Sequence, residues 1–122
     1  MEIMNDNGIA LKGSRLLLAG LAYKKNVDDI RESPALKLWR LFEDKGARVA
    51  YHDPFVPVVP KLREYPEYIG RTSVEMDSLN RYDAIVVCTD HDDVDYQRLV
   101  DSGRIVIDTR NTVPTGPNVY RC

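Results

Sequence analysis

At 122 residues the chain is long enough for one hydrophobic core and too short for two. Its composition, 43% hydrophobic and 30% charged, is that of an ordinary globular domain, and a formal net charge of −2 offers no footprint for nucleic acid. No apolar run nears the roughly 18 residues of a membrane span, no basic-plus-apolar leader opens the chain, and Cys88 and Cys122 form neither a disulfide framework nor a zinc spacing, so a reducing cytoplasm is the expected compartment.

The run Arg15-Leu-Leu-Leu-Ala-Gly20 is continuously apolar and ends on glycine, which predicts a strand buried on both faces, as in a parallel sheet. A polar loop, Leu21 to Glu32, follows. Ser33-Pro34 then opens a helix, serine as cap and proline at the first helical position. Ala35, Leu38, Trp39 and Phe42 give that helix one apolar face, and Lys45-Gly46 stops it. Arg48–His52 reads as a second strand closed by Asp53-Pro54. Pro54, Pro57, Pro60 and Pro66 mark an irregular connection, with short helices expected near Lys61–Tyr65 and around Ser73–Leu79. Asp83–Thr89 is a third buried strand, Asp95–Val100 a helix and Ile105–Asp108 a fourth strand.

Strands alternating with helices predict an α/β domain with a doubly wound parallel sheet, Rossmann-like and three-layered. Ligands of such sheets sit at the carboxyl ends of the strands, which directs attention to the loops after Gly20, His52, Thr89 and Asp108. A dinucleotide fold would carry G-x-G-x-x-G in the first loop, with glycines that let the backbone approach a pyrophosphate. Here Gly20 is followed by Ala22 at the second position and Lys25 at the third, and the loop runs about ten residues longer than that motif allows. The dinucleotide motif is degenerate, and cationic side chains stand where glycines would. Lys24 and Arg31 can engage phosphate or carboxylate by charge and fork geometry.

Each of these residues also has a plainer role. Lys24 can be a solvated loop lysine, and Arg31, between Asp29 and Glu32, can form an internal ion pair. Asp28 and Asp29 suit loop amides. Asp90-His91-Asp92-Asp93 can bind a metal, but the same residues cap a following helix, and no metal site is assigned. Trp39 reads as core and Cys88 as packing inside a strand; Arg110 is a candidate ligand arginine by its place just past the fourth strand.

The segment Gly20-Leu-Ala-Tyr-Lys-Lys-Asn-Val-Asp-Asp-Ile-Arg-Glu-Ser-Pro34 closely resembles the signature of the C-terminal domain of the UDP-glucose/GDP-mannose dehydrogenase family. The resemblance continues through Gly46-Ala47, Tyr51-His-Asp-Pro54, Thr89-Asp90-His91 and Val106–Asn111, covering about residues 10 to 112. It implies a three-part protein: an N-terminal NAD-binding domain, a central helical region that makes a homodimer, and a C-terminal domain for the nucleotide end of a UDP-sugar. The family oxidises a sugar's primary alcohol to a carboxylate in two hydride transfers through a thiohemiacetal on a cysteine. That cysteine lies in a Gly-Gly-His-Cys-type segment that does not occur in this sequence, so no catalytic residue is assigned here.

By position, Tyr23 and Lys24 match the pair that contacts the phosphates and sugar region, Arg110 matches an arginine on the nucleoside, and Arg31 matches one that reaches across the cleft to NAD. Residues 1–12 then read as a linker tail from the central region and 13–122 as the domain, with both ends of the chain read as cut margins. The Ala-Tyr-Lys-Lys-Asn-Val-Asp-Asp form with Tyr-His-Asp-Pro looks more like UDP-N-acetylhexosamine 6-dehydrogenases than UDP-glucose ones. Two other readings are a free-standing nucleotide-binding or regulatory module of the same fold, and a receiver-like signalling domain with Asp53 as phosphoacceptor.

Overall fold

The first strand, β1 (Arg15–Ala19), sends its side chains to two different cores. Leu16 and Leu18 face a layer that holds the helix α1 (Pro34–Asp44), whereas Leu17 and Ala19 face the layer of α2 (Tyr96–Asp101). Strand side chains alternate between faces, so an unbroken apolar run serves both layers when it lies inside a sheet covered on both faces. The computed structural model, which describes residues 8, 10–22, 26, 29–31, 33–92 and 94–121, puts β1 there.

The sheet has five parallel strands in the order β2-β1-β3-β4-β5, with β2 at Arg48–His52, β3 at Ala84–Val87, β4 at Ile105–Asp108 and β5 at Val119–Arg121. Helices on both faces make the expected three layers. In register, Ala19 lies beside His52 and Val87, and Val87 beside Asp108. The four loops singled out in the sequence therefore leave from one edge of the sheet.

Local chemistry explains the elements. Ser33 caps α1 by accepting from the Ala35 amide at 3.2 Å, and Pro34 occupies the first helical position. Trp39, wholly buried, stacks on Tyr68 with ring centroids 4.1 Å apart. Asp95 caps α2 through the Gln97 amide. The irregular connection after β2 holds single 3-10 turns at Pro66–Tyr68 and Leu79–Arg81. The helices expected near Lys61–Tyr65 and Ser73–Leu79 are displaced to these turns. Tyr65, in a left-handed conformation at φ 57°, blocks an earlier start of the first. The third strand is shorter than expected, ending at Val87. The fifth strand, absent from the sequence reading, pairs with β4 from Val106↔Val119 to Asp108↔Arg121.

The carboxyl edge of the sheet as candidate nucleotide site

Gly20 begins the first loop at φ +99°, and a side chain there would place its Cβ 2.5 Å from Cβ of Thr89. Glycine is thus required by the close approach of the loop after β3, and Thr89 locks that approach by donating its hydroxyl to the Ala22 carbonyl at 2.8 Å. Leu21 and Ala22 follow, both buried, with all of their backbone polar groups bonded to side chains. The Leu21 carbonyl accepts from Ser33 Oγ at 2.7 Å. The two amides donate to one oxygen, Oδ2 of Asp53, at 2.7 and 2.9 Å.

Asp53 is completely buried. Its Oδ2 also accepts from His91 Nε2 at 2.9 Å, and its Oδ1 accepts from the Phe55 amide at 2.8 Å. His91 is equally buried and lies against the Phe55 ring. At its other nitrogen, Nδ1 accepts from the Asn26 amide at 2.7 Å. A backbone N–H can only donate, so Nδ1 carries no proton and Nε2 supplies the hydrogen to Asp53. Asn26 adds a reciprocal clasp: its Nδ2 donates to Asp92 Oδ2 at 2.7 Å and its Oδ1 accepts from the Asp92 amide at 3.0 Å.

This network explains the degenerate dinucleotide motif. In a G-x-G-x-x-G turn the loop amides are free to bind a pyrophosphate. Here the amides at that position are already bound to an internal carboxylate. An external phosphate would have to displace Asp53, a buried charge-assisted acceptor with four donors. The same burial removes the receiver reading, because an aspartate with no exposed oxygen cannot take up a phosphoryl group.

A second buried carboxylate shapes the loop after β4. Asp108 Oδ1 accepts from the Arg110 amide, and Oδ2 from the amides of Thr112 and Val113, each at 2.9 Å. The Arg121 guanidinium of β5 also bonds Oδ2. The Arg110 side chain is left exposed at the edge, with its charge close enough to Cys88 to favour the thiolate. Burial outweighs that effect and pushes the Cys88 thiol up to about 12. Cys88 lies one residue past β3, half-buried, instead of inside the strand, and its Sγ faces the Val86 carbonyl. A thiol so protonated is no nucleophile.

Arg31 is also exposed and grips Asp29 with two bonds, Nε to Oδ1 at 3.1 Å and Nη2 to Oδ2 at 3.0 Å. It borders a cavity with Leu36, Lys61, Arg63 and Tyr65, a neighbourhood distinct from that of Arg110. Tyr23 and Lys24 lie outside the described residues, as do Asp28 and Asp93. Of the Asp90–Asp93 cluster, His91 turns inward to Asp53 and Asp92 pairs with Asn26. The sequence reading did not single out Asn26, Thr89 or the Asp53–His91 pair as parts of one network. The available signal was an aspartate directly after one strand and a histidine shortly after another.

The family model described as UDP-glucose/GDP-mannose dehydrogenase family, UDP binding domain, matches residues 17–115. A UDP-glucose 6-dehydrogenase of Haloferax volcanii is 37% identical over 106 residues, covering 84% of this chain and 24% of that protein. A UDP-N-acetyl-D-mannosamine dehydrogenase of Methanococcus maripaludis is 31% identical over 113 residues, covering 86% of this chain and 24% of that protein. The solved UDP-D-ManNAc dehydrogenase of Pyrococcus horikoshii superposes with a TM-score of 0.72 at 27% identity, covering 98% of this chain and 27% of that one. The chain spans about a quarter of the length of these relatives. With the sheet order, the signature loop and the family match in agreement, the chain belongs to the UDP-glucose/GDP-mannose dehydrogenase family, as its UDP binding domain.

Proposed function

We propose that this chain is the nucleotide-sugar-holding C-terminal domain of an NAD-dependent UDP-sugar 6-dehydrogenase, and that the linker tail at 1–12 joins it to dimer-forming and NAD-binding regions elsewhere in the protein. The observation that carries the reading is the Asp53 network. It consumes the amides that would cradle a phosphate, so a UDP diphosphate must be held by side chains. Lys24 follows β1 and Arg110 follows β4, two strands apart, which separates their starting points by about 10 Å. A dinucleotide's pyrophosphate does not fit the β1 turn for the same reason. Toward NAD the chain offers Arg31, exposed and paired with Asp29. Relatives acting on UDP-glucose and on UDP-N-acetylhexosamines are comparably similar, and the Tyr51-His-Asp-Pro54 form favours the N-acetyl sugar.

Isothermal titration of the 122-residue chain with UDP and UDP-N-acetylglucosamine tests this directly. Binding is expected, and Lys24→Ala or Arg110→Ala each weakens it by about one to two decades, the worth of one charge-assisted bond. In the whole protein Lys24→Ala raises the sugar-nucleotide KM and leaves NAD affinity alone, and Arg31→Ala does the converse. Unchanged sugar-nucleotide affinity in both Lys24→Ala and Arg110→Ala overturns the assignment. With UDP-sugar and NAD the isolated chain produces no NADH, since neither Cys88 nor Cys122 sits in a Gly-Gly-His-Cys segment. Sustained turnover would overturn that part.

A further inference from the structure

We propose that the cavity between β2 and the returning segment at 70–74 is a binding site for a small carboxylate, held by the Arg71 guanidinium and the Trp39 indole N–H. None of its lining residues belongs to the loops after β1, β3 or β4, so the site stands apart from the nucleotide reading. β2 is an edge strand, and its outward carbonyls need donors from elsewhere in the chain. The Val49 carbonyl accepts from Arg71 Nη2 at 3.2 Å, and the Tyr51 carbonyl accepts from the Val74 amide at 2.8 Å. Beside these bonds lies a cavity of about 300 Å³, bordered by Trp39, Ala50, Tyr51, Arg71, Thr72 and Val74. The backbone facing β2 is fixed, since the Gly70 amide donates to the Val59 carbonyl and the Arg71 amide to the Tyr68 carbonyl, each at 3.0 Å.

Two donors make the cavity selective. Trp39 is fully buried, and its Nε1 has no hydrogen-bond partner among the described residues. An unpaired buried N–H is costly, and an indole nitrogen can only donate, so the group that satisfies it is an acceptor. The Arg71 guanidinium carbon lies 5.1 Å from the centre of the Trp39 ring. Arg71 has no carboxylate partner among the described residues, and no lining residue is acidic. A cation beside an unsatisfied donor selects an anion. A planar carboxylate suits the pair better than a spherical ion, because one oxygen can serve the guanidinium and the other the indole. The cavity far exceeds the roughly 30 Å³ share of one water, and Ala50 and Val74 add apolar side chains to its wall, so a short organic acid fits. Because Trp39 is sealed from water, the carboxylate reaches Nε1 as the exposed Arg71 side chain, held by one hydrogen bond, turns with it.

Trp39 is the only tryptophan of the chain, so its fluorescence and its Nε1 proton resonance report on this site alone. The 122-residue chain is titrated with sodium acetate, with sodium chloride at equal ionic strength, and with acetamide as the uncharged isostere. Acetate is expected to move the Nε1 resonance and the fluorescence saturably, with a Kd that is roughly millimolar, as befits so small a ligand. Chloride should leave the Nε1 resonance in place, and acetamide should bind about tenfold more weakly or worse. Arg71→Gln is expected to weaken acetate binding by about tenfold or more, the worth of a charge-assisted bond, and Arg71→Lys to restore only part of it. Trp39→Phe, followed by the Ala50 amide resonance, should weaken acetate by about tenfold. Where a variant fails to fold, the three titrations of the wild-type chain decide by themselves. An Nε1 resonance unmoved by acetate, or moved equally by chloride or acetamide, overturns the proposal. So does acetate affinity unchanged in folded Arg71→Gln or Trp39→Phe.

Discussion

Asp53 and Asp108 do the same work at two places on the edge. Each ends or follows a strand, each is shielded from water, and each gathers amides from a loop that bears a candidate ligand residue. Asp53→Asn would turn an NH2 toward amide donors and strand them in the interior. We expect a loss of about 3 kcal/mol in stability, measured by urea unfolding. Arg110→Ala is the contrasting case. Its backbone amide still bonds Asp108, and its side chain is exposed, so unfolding should change by no more than about 0.5 kcal/mol while UDP affinity drops. These two outcomes separate scaffold from ligand contact. The sequence reading marked Arg110 by position alone. It could not assign Asp53 its donors, because Leu21 and His91 lie 32 and 38 residues from it.

At the scale of elements, the weakest tolerance lies where β1 turns away. Gly20→Ala would press a methyl against Thr89 and hold alanine at φ +99°, and should cost about 2 kcal/mol or more, visible as a lower urea midpoint. The irregular connection after β2 folds back on itself through the antiparallel bridge Val58↔Thr72 and is held to the helix layer by aromatic packing. Tyr68 stacks on Trp39, the Arg71 guanidinium sits 5.1 Å from the Trp39 ring, and its Nη2 donates to the Val49 carbonyl. Arg71→Ala is expected to destabilise the chain by about 1–2 kcal/mol in the same assay. The prolines made this connection legible as irregular. Its first 3-10 turn ends on Tyr68, which stacks on Trp39, and its second buries Leu79 in the opposite layer, contacts that local propensity does not encode.

For the molecule as a whole, high pH is the informative stress. Burial, reinforced by the nearby charge of Asp53, pushes the Tyr51 phenol up to about 12, and its hydroxyl donates to the Val56 carbonyl at 2.8 Å. Burial likewise raises Tyr68 and Tyr96. A phenol raised in the folded state binds its proton more tightly there than in the unfolded chain, where it titrates near about 10. The stabilisation is therefore complete below that pH and is lost as pH rises toward 12. We expect the melting temperature to fall over that interval, and the tyrosinate absorbance that Tyr51→Phe, Tyr68→Phe and Tyr96→Phe remove to appear with unfolding, not before it. The sheet's far edge gives another whole-chain test. Deleting residues 118–122 removes the strand paired to β4 and the Arg121 bond to Asp108. Amides of Val106 and Asp108 should then exchange faster, and UDP affinity should fall through the Arg110 loop.

Four strands, the first helix with its Ser33-Pro34 start, and the parallel character of the sheet were legible because apolar runs and helical spacing are written in consecutive residues. The signature loop was legible as a resemblance carried by the residues Gly20 to Pro34, and with it the family. β5 was not, since Val119–Arg121 is two half-exposed residues and an exposed one without a pattern, and becomes a strand because β4 presents an open edge to it. The joining of Asp53, His91 and Asn26 was decided by the order of strands, which brings three loops distant in sequence to one point. A chain specifies its elements through neighbours a few residues away. Which buried carboxylate meets which amide depends on how those elements are stacked.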